Sequence, residues 1–175
     1  MEYGGRSMFG NLLRERRRTI AVRGLTEATL SGTSAFDRFV SAAASAFLAP
    51  MAAVSLIHDE TQNIAAGYGF PVGCMPRNDS FCTFTIKQGS VLECCDPEAD
   101  PRFAALPAVR GEPHVRYYIG APLRLLSGIE VGALCVVDTV RRQAASDDQK
   151  AYLAGLARQA ALMLESRRDL RGNAA

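Results

Sequence analysis

Apolar positions along this chain switch between two periods, and each switch marks an element. Phe36, Phe39, Val40, Ala43, Ala44 and Phe47 recur at helical spacing until Pro50. Ser34 precedes them as an N-cap type residue, with Asp37 three places on. A core-facing helix is expected there. Residues 52–58 are apolar and β-branched, 59–61 are polar, and 63–70 resume an apolar pattern, which together predict a β-hairpin.

Residues 69–78, with Pro71, Gly73 and Pro76, are expected to be loop. Asp79 or Ser80 is placed to cap a short helix through Ile86, ended by Gly89. Residues 91–95 predict a short strand. Residues 96–110 hold three prolines and no sustained period. Within them, Asp100 before Pro101 predicts the start of a short helix.

Two further strands follow. Over 115–125, Tyr117, Ile119, Ala121 and Leu123 alternate with Tyr118, Gly120 and Pro122. Over 129–138, Val131, Ala133, Cys135 and Val137 are expected to share a face. Ser127-Gly128 joins the two as a hairpin turn. Pro122 predicts an edge or a bulge. The last helix opens on a capping box, Ser146 with Gln149, followed by Asp147 and Asp148. Its stripe is Leu153, Leu156, Ala160 and Met163, widened by Tyr152, Ala157 and Leu164, with Arg167 and Arg168 near its end. Residues 171–175 are expected to fray.

Strands joined by short turns require an antiparallel sheet. The expected class is α/β in the α+β sense: a central antiparallel sheet of five to six strands between helices. The terminal helices cover one face. Residues 71–114 must cover the other, and loop-covered faces are where pockets form.

Composition narrows the function. The 175 residues are 48% apolar and 22% charged with net charge +2, which fits one globular domain and argues against nucleic acid as a partner. No apolar run approaches a membrane span, and residues 1–10 lack a secretion-signal core, so a cytoplasmic, membrane-free protein is expected. Six arginines lie between Arg6 and Arg23, three of them consecutive at Arg16, Arg17 and Arg18. Residues 1–24 are therefore read as a basic arm or amphipathic helix with a solvated charged face, ahead of a domain at 25–170. Cys74, Cys82, Cys94, Cys95 and Cys135 are odd in number and form no C-x-x-C pair, so unbridged thiols are expected.

Four blocks carry a resemblance: Arg77-Asn78-Asp79-Ser80-Phe81-Cys82 with Ile86, Asp100-Pro101-Arg102-Phe103, residues 116–123, and residues 132–138. In this order and spacing they resemble a bacterial subfamily of GAF domains, over about residues 25–168. The resemblance implies the sheet-and-helix fold that GAF and PAS domains share. It also implies a homodimer through the terminal helices, a ligand pocket on the opposite face, and a sensory role feeding a signalling partner in trans. The Asn-Lys and Phe-Asp-Glu signature of cyclic-nucleotide-binding relatives is absent, as is the Cys beside His of bilin-binding relatives.

The expected pocket residues are Arg77, Ser80, Phe81, Cys82, Asp96, Asp100, Arg102, Phe103, Arg116 and Tyr118. Arg77, Arg102 and Arg116 point to a small anionic or carboxylate ligand. Tyr118 is assigned to the pocket face and Tyr117 to the other. Cys82, in the first turn of a helix, is the leading redox candidate, with Cys94 and Cys95 behind it. Cys82 also sits where the similar free methionine-R-sulfoxide reductases carry a cysteine, yet residues 111–115 lack the second thiol those enzymes need. No paired carboxylates, phosphate loop or metal-ligand spacing is found, and His114 has no second ligand spaced to help it. No catalytic residue, metal or cofactor is required by this reading. Its alternatives are a thiol-dependent reductase or redox sensor, and a ligand-free interaction scaffold.

Overall fold

Two hairpins supply most of the sheet, and the helices pack by the faces their sequences present. The computed structural model describes residues 5–29 and 34–172, and the side chains of 10–25 and 35–169. In chain order the elements are α1 (Gly5–Thr29), α2 (Ser34–Phe47), β1 (Met51–His58), β2 (Thr61–Tyr68) and β3 (Gly73–Pro76). A 3₁₀ turn at Arg77–Asp79 follows. Then come α3 (Phe81–Gln88), β4 (Leu92–Cys94), α4 (Pro107–Arg110), β5 (Tyr117–Arg124), β6 (Glu130–Asp138) and α5 (Asp147–Gly172).

The strands form one antiparallel sheet in the order β3-β2-β1-β6-β5-β4. β1 and β6 are central and buried almost throughout, which is why their sequences run continuously apolar. One face carries Ala52, Val54, Leu56, Tyr117, Ile119 and Leu123 against α2 and α5. The other carries Ala53, Ile57, Tyr118, Ala133 and Cys135 under α3 and the segment that ends in α4.

Four local expectations change. Residues 73–76 are not loop: they pair with β2 from Thr61↔Pro76 to Ile64↔Gly73. Main-chain hydrogen bonds build this outer strand without an alternating pattern to announce it, and Pro76 is tolerated at its end. Asp100-Pro101 opens one turn and no helix. The amides of Phe103 and Ala104 reach the Asp100 carbonyl at 2.9 and 2.8 Å, and the next helix starts at Pro107. Val131 leaves the face of Ala133 and Cys135, because Arg124 pairs with Glu130 while Leu123 pairs with Gly132. The extra residue is a bulge, and it turns Val131 toward the helices. Tyr152 stays half-exposed, off the buried stripe of α5.

Pro122 lies beyond the end of β4, whose pairing stops at Leu92↔Gly120, so the missing N–H faces no partner strand. The capping box of α5 forms: the Gln149 amide donates to Ser146 Oγ at 3.2 Å and the Ser146 amide to Gln149 Oε1 at 3.1 Å. The Ser34 side chain, whose capping role was expected, lies outside the described residues. So do residues 173–175, while α5 runs on to Gly172.

The basic arm is helical. Val22 and Leu25 of α1 are buried in the helix-side core, and Arg16 and Arg17 are exposed. Arg18 does not join that solvated face. It is 3% exposed, donating from Nε to the Glu130 carbonyl at 2.7 Å and pairing with Glu15. Among the described residues, no helix is long and apolar enough to cross a membrane.

Candidate functional site

The start of α3 shapes the interior of the second face. Ser80 Oγ accepts the Cys82 amide at 3.0 Å, and Gly89 closes the helix in a left-handed conformation with φ 71°. This cap places Phe81 and Cys82 in the first turn, aimed at the sheet. Phe81 stacks on Tyr118 at 4.7 Å between ring centres and lies 4.8 Å from Phe103. Phe84 meets Phe103 edge-on at 5.0 Å.

Beside this aromatic cluster lies a cavity of about 40 Å³, lined among others by Gln62, Ser80, Phe81, Cys82, Tyr118 and Cys135. Pockets for small-molecule ligands span roughly 300–1,000 Å³, so the space here suits a few atoms only. Larger hollows, among them about 460 Å³ between β5 and α5 and about 600 Å³ between α1 and α3, lie away from this cluster.

Tyr118 lies down along the sheet to reach its partners. Its hydroxyl is 2.7 Å from Thr85 Oγ1 and donates to Cys82 Sγ at 3.5 Å. Gly120 makes room: a Cβ there would stand 2.2 Å from the Tyr118 hydroxyl. The neighbouring Cys135 thiol, with the hydroxyls of Ser55, Tyr118 and Ser80, lowers the Cys82 pKa to about 7 against the opposing effect of burial. Burial and the developing charge of Cys82 hold the Tyr118 phenol well above its ordinary range, so it stays protonated and donating.

The other thiols differ. Burial pushes Cys94 up to about 11, and its sulfur faces the Asp100 carboxylate at 3.7 Å. Burial and nearby Glu93 also raise Cys95. Cys74 is exposed on β3.

Of the ten expected pocket residues, Ser80, Phe81, Cys82 and Tyr118 meet at the cavity, and Phe103 packs behind Phe81. The rest point elsewhere. Arg102 pairs with Asp100 at 2.6 Å and lies over the Phe103 ring. Arg116 pairs with Glu98 at 3.0 Å and donates to the carbonyls of Val109 and Val115. Asp96 meets Arg141 at 3.3 Å.

Arg77 reaches α1. Its Nη1 and Nη2 hold both oxygens of Glu15, at 2.5 and 2.9 Å, and this bond holds the Glu15 carboxyl below its ordinary range. The Arg77 carbonyl accepts the Thr83 hydroxyl at 2.8 Å, which ties the same turn to α3. His114 is half-exposed with Glu112 3.6 Å away, and among the described residues no group of three or more His, Cys, Asp or Glu could hold a metal.

Sequence reasoning missed Cys135, Ser55, Gln62 and Glu15. Cys135 could have been found from strand alternation, since it shares the Ala133 and Val137 face. Glu15 carries no signal at all, because its role depends on where α1 crosses.

A family model of the GAF domain matches residues 32–164. A cyclic di-GMP phosphodiesterase of Pseudomonas aeruginosa is 38% identical over 123 residues, which are 70% of this chain and 21% of that protein. The chain thus spans about a fifth of this relative's length. Among solved structures, the GAF domain of a phosphoenolpyruvate-protein phosphotransferase from Coxiella burnetii superposes with TM-score 0.67 at 14% identity, over 89% of this chain and 96% of that one. The PixJ GAF domain of Thermosynechococcus elongatus gives 0.66 at 16%, over 83% and 92%. A type II free methionine-R-sulfoxide reductase from Thermoplasma acidophilum gives 0.64 at 14%, over 79% and 96%. At these identities the structural likeness speaks for the fold alone.

Proposed function

This chain belongs to the GAF domain family, and from that premise we propose that it is a regulatory module of signal transduction, not an enzyme. The interior cavity is its sensing site, and the terminal helices report on it to a signalling partner. The observation that supports this most directly is the Arg77 clamp. Arg77 holds Glu15 of α1 with two hydrogen bonds while its own carbonyl receives Thr83 of α3. A shift at Ser80 or Phe81 therefore pulls on α1.

The cavity size limits the signal. A space of about 40 Å³ admits a few heavy atoms, so free methionine sulfoxide does not fit without displacing Phe81. An anionic or carboxylate ligand binds only by drawing Arg77 from Glu15 or Arg116 from Glu98. The similar phosphodiesterase suggests an output that handles cyclic di-GMP. The filled aromatic cluster also favours a second reading, a ligand-free interaction domain with the same helices as its contact surface.

Hydrogen–deuterium exchange tests the coupling. Ser80→Ala removes the α3 cap, worth about 1 kcal/mol, and is expected to speed exchange in α1 as well as in α3. Faster exchange confined to α3 would refute transmission through Arg77. Dimerisation through the terminal helices is a separate expectation. Leu13 and Ile20 of α1 are 61% and 67% exposed and Leu162 of α5 is 45% exposed, which leaves apolar surface for a second copy. Light scattering is expected to give a dimer at high micromolar concentration and a monomer for Ile20→Glu. A monomeric parent protein would sink the proposal. Leu170, further along α5, has its side chain outside the described residues.

A further inference from the structure

We propose that Cys82 and Cys135 form a peroxide-reactive dithiol, in which hydrogen peroxide admitted to the interior cavity oxidises Cys82 and Cys135 resolves it to a disulfide. Both thiols line the same cavity, one from the first turn of α3 and one from central β6. Both open on one space of about 40 Å³, so the second sulfur lies close to the first.

The surroundings favour the reaction at Cys82. Its sulfur receives the Tyr118 hydroxyl at 3.5 Å. That donor stabilises a thiolate, as does the position of Cys82 in the first turn of α3. The remaining cysteines lack this arrangement. Cys94 faces the Asp100 carboxylate, Cys95 lies near Glu93, and Cys74 stands exposed on the outer strand. The cavity adds selectivity. A single water needs roughly 10–15 Å³ of such space, so about 40 Å³ holds a molecule of two heavy atoms. Bulky alkyl hydroperoxides are excluded by the Phe81, Tyr118 and Phe103 cluster.

The chemistry balances. The Cys82 thiolate attacks one peroxide oxygen, an S–O bond forms, the O–O bond breaks, and hydroxide leaves with the thiol's proton as water. Cys82 is now a sulfenic acid, oxidised by two electrons, and the peroxide is reduced by two. The Cys135 thiol then attacks the Cys82 sulfur, an S–S bond forms, and the sulfenic oxygen leaves with the Cys135 proton as a second water. Two thiols and one peroxide give one disulfide and two waters. The new bond staples α3 to β6, next to Ser80 and the Arg77 clamp. The inference is independent of any cavity ligand, so its failure leaves the regulatory reading intact.

The test treats the full chain with hydrogen peroxide and maps peptides without reduction. The expected product is a Cys82–Cys135 linked peptide. Cys135→Ser is expected to stop at a Cys82 sulfenate that dimedone traps, and Cys82→Ser to slow thiol loss by at least about tenfold. A variant with Cys74, Cys94 and Cys95 all changed to Ser is expected to react as the parent does, which guards against misfolding of the Cys82 and Cys135 variants. The rate is expected to rise with pH through about 7. Tyr118, Cys135, Ser80, Gln62 and the Asp79 carboxylate are the polar groups facing this space, and Tyr118 and Cys135 stay protonated there. tert-Butyl hydroperoxide is expected to react at least about tenfold more slowly than hydrogen peroxide. A different cysteine pair in the linked peptide, an unreacted Cys82 beside an oxidised Cys74, or equal rates with the two peroxides would overturn the proposal.

Discussion

Gly132→Ala is expected to remove most of this domain's stability. Gly132 sits on β6 at the middle of the sheet, opposite Leu56 on one side and Leu123 on the other. A Cβ there would lie 1.8 Å from the Ser55 carbonyl oxygen, 2.8 Å from its carbon and 3.0 Å from the Leu56 Cα. All three atoms are backbone, so no side-chain rotation relieves the clash. Neither strand can give way, because β1 and β6 are central and covered on both faces. Relief requires breaking the β1–β6 pairing that joins the two hairpins. The expected cost exceeds about 4 kcal/mol, a large share of the roughly 5–15 kcal/mol that holds a domain together. Urea titration followed by circular dichroism measures it. Gly155→Ala on α5, where nothing lies within 4 Å of the added atom, serves as a control and is expected to be neutral or to stabilise by up to about 1 kcal/mol. A Gly132→Ala protein that melts like the parent would show that the strands are less tightly paired than the contacts require.

Phe81→Ala carries the second large effect, this time on the α3 face of the sheet. Phe81 is 7% exposed and stacks between Tyr118 and Phe103. Removing its ring costs about 3–5 kcal/mol, from lost burial and from the cavity left behind. That cavity merges with the existing space of about 40 Å³. The enlarged, mostly apolar site is then expected to bind a flat apolar probe, as engineered apolar cavities do. Thermal shift would read a lowered midpoint for the variant and a partial recovery with benzene, with no shift for the parent protein. If benzene stabilises both proteins alike, the parent site opens readily and the aromatic cluster is not its gate. If it stabilises neither, Tyr118 and Phe103 collapse into the gap.

Much of the fold was legible because its signals are local. The α5 capping box needs only Ser146 and Gln149 on one turn, and it forms as the spacing requires. The Ser80 cap and the Gly89 stop of α3 are equally short in range. Face assignment followed from period 2 for Tyr117 and Tyr118, which bury on opposite sides of the sheet. The same rule failed at Val131. A bulge shifts the alternation by one, and nothing in the residue itself announces the extra position. β3 was missed for a related reason: its strand character comes from the β2 edge it joins.

The site was legible in part. Ser80, Phe81, Cys82 and Tyr118 could be grouped because each lies next to a recognisable cap or strand. The arginines could not be placed. Arg77, Arg102 and Arg116 have long side chains with several carboxylates within reach, and which one each meets depends on segments distant in the chain. Glu15 lies 62 residues from Arg77, and only the path of α1 brings them together.

The sequence alone determined the elements with local causes, the antiparallel sheet, the layer of helices on one side and the face that holds Cys82 and Tyr118. These follow from period, caps and turns, whose energies are settled within a few residues. Tertiary structure decided the rest: the route of α1 to Arg77, the narrowing of the pocket to about 40 Å³ and the convergence of Cys82 and Cys135 on it. Those outcomes depend on close packing between elements far apart in the chain, where a fraction of an ångström separates an open pocket from a filled one and no local pattern records the distance.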